Sequence, residues 1–239
     1  MPVKQGGKFG FIAPGGQAVI KPQFETAAQF YQGLGAVSLK GKYGYVDPAG
    51  KLVIACQFDK TYNFSEGLAA VNIGGTPDMY GLIKGGKWGF LDKTGTMAIK
   101  PEYDRTWPFS EGMAAVRLGG KWGAVDKTGK MMIEPQFEDS FRFQEGLAMV
   151  ELAGRCGYID QTGKFVISPQ FEQADPFSEG LAEVKVGVKW GFVDKTGAMV
   201  IKPQFDTAWG FSNGIAKVWT GSKFGYLNKT GKFIWQPTE

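Results

Sequence analysis

A 34-residue phrase repeated seven times restricts this chain to folds assembled from copies of one small unit. Gly7, Gly41, Gly86, Gly120, Gly154, Val188 and Ser222 stand at the same place, each followed by a basic residue and a residue-Gly pair. The period is 34 throughout except between Gly41 and Gly86, which are 45 apart; the 11 extra residues run from Gly74 to Lys84. In such arrays each unit buries its apolar faces against its neighbours.

Each phrase predicts three short strands. Around the fourth copy these are Met113 to Leu118, Lys121 to Val125 and Lys130 to Ile133. Gly119-Gly120 supplies the positive φ angles of a tight primed hairpin. Asp126-Lys127-Thr128-Gly129 predicts a type I turn capped by the aspartate and closed by a left-handed glycine. Proline follows the third strand as Pro22, Pro101, Pro135, Pro169, Pro203 and Pro237. Lacking a ladder donor, it makes that strand a sheet edge. Alternation puts apolar residues on both faces of each sheet, so each is expected between two neighbours. The expectation is an all-β fold of seven tandem three-stranded antiparallel β-meander units stacked face to face in a propeller-like ring. An open β-superhelix is the alternative. Neither terminal unit has the polar face of a solenoid cap, which favours the ring. One domain, 1–239, would hold units at about 1–24, 33–58, 67–103, 112–137, 146–171, 180–205 and 214–239, with the insertion at 74–84.

The string Gly86-Lys87-Trp88-Gly89-Phe90-Leu91-Asp92-Lys93-Thr94-Gly95, then Ile99-Lys100-Pro101-Glu102-Tyr103-Asp104 and Phe109-Ser110-Glu111-Gly112-Met113-Ala114-Ala115-Val116, resembles the bacterial WG-repeat family. The resemblance covers essentially the whole chain. The signature tryptophan is kept at Trp88, Trp122 and Trp190 and replaced by Phe9, Tyr43, Cys156 and Phe224. It implies a bacterial, β-rich tandem-repeat protein that binds rather than catalyses, and it supplies no catalytic residues.

Chemistry is bounded first by what is missing. Without histidine, no Ser/His/Asp or Cys/His triad can form, and two isolated cysteines make no thiolate metal cage. No cofactor is expected, nor a disulfide framework from Cys56 and Cys156. Twenty-seven basic against 23 acidic residues give +4, spread over every copy, which argues against a nucleic-acid partner. No apolar run is long enough to insert in a membrane, and the first residues lack a signal-peptide pattern. That leaves a cytoplasmic location by default, or a secreted one if a leader has been removed.

Acids at repeated positions, such as Asp92, Asp126, Asp160 and Asp194, read as turn residues. Asp139 and Asp175, outside the pattern, are the candidates for carboxylate-dependent glycan chemistry. The expectation is nevertheless a non-enzymatic binding or scaffolding module with a protein partner, a glycan being the alternative. The candidate contacts lie where copies disagree: one connection slot reads Ala28, Tyr62, Trp107, Phe141, Asp175 and Trp209, beside acids Glu25, Asp59, Asp104, Glu138, Glu172 and Asp206. Tyr62, Trp107, Phe141 and Trp209 are the proposed anchors, along with Met79 and Tyr80 on the inserted hairpin tip. The rings can equally plug gaps between sheets. The lysine row Lys8, Lys42, Lys87, Lys121, Lys189 and Lys223 reads as a solvated face.

Overall fold

The computed structural model describes residues 1–79 and 81–238, in two compact units, Met1–Met131 and Met132–Glu239. Its strands form seven antiparallel sheets. The first has the expected three strands, Pro2–Gln5, Lys8–Ile12 and Ala18–Phe24. The other six have four, which corrects the three-stranded expectation. In the sixth, Gln173–Ala174 precedes Leu181–Val186, Lys189–Asp194 and Met199–Phe205. The added strand comes from the connection after the proline segment. It pairs Gln173 with Lys185 and Ala174 with Val184, supplying partners that the buried first strand would otherwise lack.

The third strand is outermost in every sheet, and in all but the second, where Cys56 stands in its place, it carries the proline whose missing donor suits an edge. Its register also explains the invariant glycine. Trp190 pairs with Phe205 and Phe192 with Ile201, so Gly191 alone lies opposite Lys202, Pro203 and Gln204. The bulged strand presses onto that glycine: a Cβ on Gly191 would lie 2.5 Å from the Ile201 carbonyl oxygen and 2.7 Å from the Pro203 nitrogen. Gly89 is placed alike against Ile99.

Both predicted turns form. Gly119 and Gly120 adopt φ of 59° and 86°. In the second turn Gly129 N donates to Asp126 O at 3.0 Å, while Asp126 Oδ1 accepts from Thr128 N, Thr128 Oγ1 and Lys130 N at 2.8, 2.6 and 3.0 Å. A third tight turn precedes the first strand: Glu179 and Gly180 have φ of 54° and 86°, and Ser178 bridges Leu181.

Neighbouring sheets share apolar clusters, as the two-faced pattern requires. Tyr45, Ile54 and Phe58 of the second sheet pack with Phe64, Ala69 and Leu91 of the third. Leu181, Phe192 and Ile201 of the sixth pack with Phe211, Ala216 and Leu227 of the seventh. The insertion lengthens one hairpin, Leu68–Pro77 against Ile83–Asp92, as expected. Its tip is closed by Asp78, which receives Gly81 N and Leu82 N.

Candidate functional site

At Tyr62, Trp107, Asp175 and Trp209 the connection slot lies just past the short added strand, whereas Phe141 precedes its short strand, Phe143–Gln144. At the former the backbone is held to the first strand: Tyr62 N donates to Ala70 O at 2.9 Å, Trp107 N to Ala115 O at 3.0 Å and Trp209 N to Lys217 O at 2.9 Å. This tether places these side chains beside the third residue of the first strand.

In the first unit the rings form a column. Tyr62 stacks on the signature Trp88, with centroids 5.1 Å apart and planes at 21°, and on Trp107 at 6.3 Å and 25°. Trp88 is buried and Tyr62 half-buried, whereas Trp107 is 44% exposed. Burial raises the Tyr62 hydroxyl pKa, the nearby Arg105 charge pulling the other way. Beside the column is a depression of about 310 Å³ lined by Tyr43, Lys60, Thr61, Tyr62 and Asn63, with Lys60 Nζ 5.1 Å from the Tyr43 ring centre.

In the second unit Trp209 is 59% exposed and meets Trp219 at 4.9 Å. Lys217 lies over both rings and over Phe224, at 5.5, 4.8 and 4.0 Å from the centroids. Phe141 corrects the expectation of a surface anchor. It is only 5% exposed and packs edge-on against Phe137 at 5.4 Å and Phe143 at 6.0 Å. The place of Trp88 in that sheet is taken by Cys156, too small to prop a ring toward solvent. Met79 is fully outside at 87% exposure, and Tyr80 lies outside the described residues.

Of the acids beside the slot, Asp59, Asp104, Glu172 and Asp206 are held in structural ion pairs. Asp206 Oδ2 accepts Gly221 N at 2.7 Å, capping the Gly-Ser hairpin, and its Oδ1 pairs with Lys189 Nζ at 2.6 Å. Asp104 with Lys87, Glu172 with Arg155 and Asp59 with Lys42 repeat the ion pair. These members of the lysine row are therefore neutralised by the acid 17 residues on. Cys56 and Cys156 are free thiols whose pKa is raised, chiefly by burial.

Two features escaped the sequence reading. Glu66, Glu145 and Glu179 in the tight turns link successive copies: Glu179 Oε2 accepts Gly214 N at 2.9 Å and pairs with Lys229 Nζ at 3.1 Å. Glu183 is also buried, at 7% exposure, directly across from Asp175. Its signal was legible as the one acid in a column that reads Ala36, Ala70, Ala115, Met149 and Lys217 in other copies. Asp139 is exposed on the surface. Among the described residues no group of three or more His, Cys, Asp or Glu is placed to hold a metal ion.

The repeat is that of a known family. The WG containing repeat matches residues 9–43, 43–76, 88–122, 122–156, 157–190 and 190–223. The chain belongs to the WG-repeat family. No curated protein matches it. Among solved structures, this WG-repeat chain is similar to a eukaryotic initiation factor at a TM-score of 0.64 and 11% identity, over 100% of this chain and 72% of that one. It is also similar to Kluyveromyces lactis Hsv2, at 0.48 and 11%, over 83% and 71%. The WG repeats thus build an all-β fold that is similar to that of the initiation factor.

Proposed function

We propose that this chain is a non-catalytic binding or scaffolding module that captures a protein partner through its exposed slot tryptophans. The WG-repeat, propeller-like fold is consistent with such a role. The observation that carries the reading is the Trp88–Tyr62–Trp107 column, in which a buried ring and a half-buried ring brace an exposed one. A pre-positioned aromatic loses little conformational entropy on contact, which is why such rings dominate binding energies at interfaces. Trp209, backed by Trp219, is a second anchor of the same kind.

The test compares partner capture by the parent with that by Trp107→Ser and Trp209→Ser, after circular dichroism shows all three folded. Phe141 is left intact because its loss would disturb the core. A protein held by the parent and lost by the variants supports the reading; equal capture by all overturns it. The depression beside Tyr43, Lys60 and Asn63 favours a glycan as the second reading, since it pairs aromatic faces with hydrogen-bonding groups. Polysaccharide that retards the parent in a native gel, and not a Tyr43→Ser variant, would select it.

A further inference from the structure

The second sheet differs from the third at one place in the aromatic column. In the third sheet the signature Trp88 carries Tyr62 from the connection slot, with ring centres 5.1 Å apart, and Trp107 of the next slot lies 6.3 Å from Tyr62. In the second sheet the signature position is Tyr43, and the slot residue, one copy before Tyr62, is Ala28. A methyl group cannot cover a phenol ring. The depression of about 310 Å³ is the result: Ala28 and Ala36 line it together with Tyr43 of the second sheet and Tyr62 of the third.

The lining decides what kind of group fits. The Thr61 hydroxyl is bonded to that of Tyr45 at 2.6 Å, and the Thr26 hydroxyl to that of Ser38 at 2.7 Å, so both threonines of the lining are engaged within the chain. What they leave is mostly ring and methyl surface. A sugar needs several hydrogen-bonding groups to fix its hydroxyls, whereas an aromatic ring needs flat apolar walls. Ligand clefts run upward from about 300 Å³, so this one holds a single group of side-chain size. Lys60 Nζ lies 5.1 Å from the Tyr43 ring centre. The space is open with Lys60 so placed, because Lys60 is itself one of its walls.

We propose that this depression is a receptor for one aromatic side chain of a protein partner. A ring entering over Ala28 meets Tyr43 as Tyr62 meets Trp88, and meets Tyr62 as Tyr62 meets Trp107. The partner thereby adds one member to a column the chain has already built. Stacked rings of this kind attract beyond the area they bury, and the Lys60 ammonium offers the incoming ring a cation–π contact. Tyr62 both lines the depression and stacks on the exposed Trp107, so the two contacts are continuous: one projects into the partner and the other receives it. The Tyr62 wall is held in place by Trp88, which limits the ordering cost of binding.

The inference rests on the protein-binding reading but is tested without any partner. The probe is N-acetyl-tyrosinamide at millimolar concentration, with N-acetyl-leucinamide and methyl glucoside as controls and saturation-transfer NMR from the folded chain as readout. Ala28→Tyr fills the place with the chain's own ring, as Tyr62 does in the next copy, and Ala28→Leu fills it in part; circular dichroism checks that each is folded. Transfer to the tyrosine ring protons is expected with the parent, to fall several-fold in Ala28→Tyr and to fall by less in Ala28→Leu. Should Ala28→Tyr not fold, Ala28→Leu decides alone. No transfer, transfer unchanged by filling, or an equal response to the leucine probe would each overturn the receptor. Transfer to methyl glucoside alone, lost on filling, would overturn it in favour of a sugar. Failure here with capture still dependent on Trp107 leaves the protein-binding reading standing; probe binding lost on filling, with capture indifferent to Trp107 and Trp209, leaves this site standing and sinks that reading.

Discussion

Lys195 reaches back 50 residues to Glu145, placing Nζ 3.2 Å from Oε2 and 2.8 Å from the Glu145 carbonyl oxygen. The same carboxylate accepts Gly180 N at 2.9 Å, so one side chain ties its own copy to the turns of others. Burial works against the Glu145 anion, but Gly180 N–H, Lys195 and Glu179 N–H outweigh it and hold the carboxyl below its usual range. The tie also accounts for a glutamate at φ 55°, a conformation that favours glycine.

Glu145→Ala should therefore destabilise the second unit by about 1 kcal/mol, a figure already discounted for solvent screening. Urea unfolding monitored by tryptophan fluorescence measures it. Because the folded carboxyl is depressed, its contribution is present above the unfolded pKa and is lost as pH falls through the folded one. The parent–variant gap must shrink in acid; a constant gap would refute the tie.

Gly191→Ala tests why the aromatic is followed by glycine. The new methyl would meet the Ile201 carbonyl oxygen at 2.5 Å, and a backbone atom cannot swing aside as a side chain can. A loss of about 3 kcal/mol is expected, with the third strand displaced. A thermal melt unchanged from the parent's would show that the close approach does not constrain this site.

Glu183→Gln should stabilise the protein in neutral and alkaline solution. The folded carboxyl, raised by burial to about 7 from 4.5, contributes most favourably below 4.5, and that contribution is lost as pH rises through 7. Relative to the parent, the variant should gain about 3 kcal/mol between pH 4.5 and pH 8, by the difference of the two values. Denaturant titrations at both pH values decide it; a pH-independent difference would mean that Glu183 titrates normally.

Phe141→Ala and Trp107→Ala should part company. Removing the buried phenyl leaves a cavity among Phe137 and Phe143 and should cost about 3–5 kcal/mol. Truncating the exposed indole, which keeps one face in water, should cost under about 1 kcal/mol. Equal losses in calorimetry would place both rings in the core.

Much of this fold is legible from local patterns. The Gly119-Gly120 and Asp126 to Gly129 turns, the outer place of the proline strand and the lengthened hairpin at Gly74 to Lys84 all follow from backbone requirements within a few residues. The added fourth strand was hidden because Gln173-Ala174 has no alternation of its own and forms only where Lys185 and Val184 present an open edge.

The connection slot shows where local reading stops. Tyr62, Trp107, Phe141 and Trp209 look alike as letters, yet one is buried and two are largely exposed. What separates Phe141 from Trp107 is the company each finds: Phe137 and Phe143 in one case, the braced face of Tyr62 in the other. The charged column beside the slot was likewise ambiguous until Asp206 was seen capping Gly221 and pairing with Lys189.

Repeat length, turn chemistry and the two-faced apolar pattern act within a single copy, so they specify seven antiparallel sheets and a family without reference to anything distant. The burial of Phe141, the exposure of Trp209 and the enclosure of Glu183 against Gly210 depend on which side chains an adjacent sheet contributes. Burial is a property of contacts between copies, and those exist only once the sheets have packed.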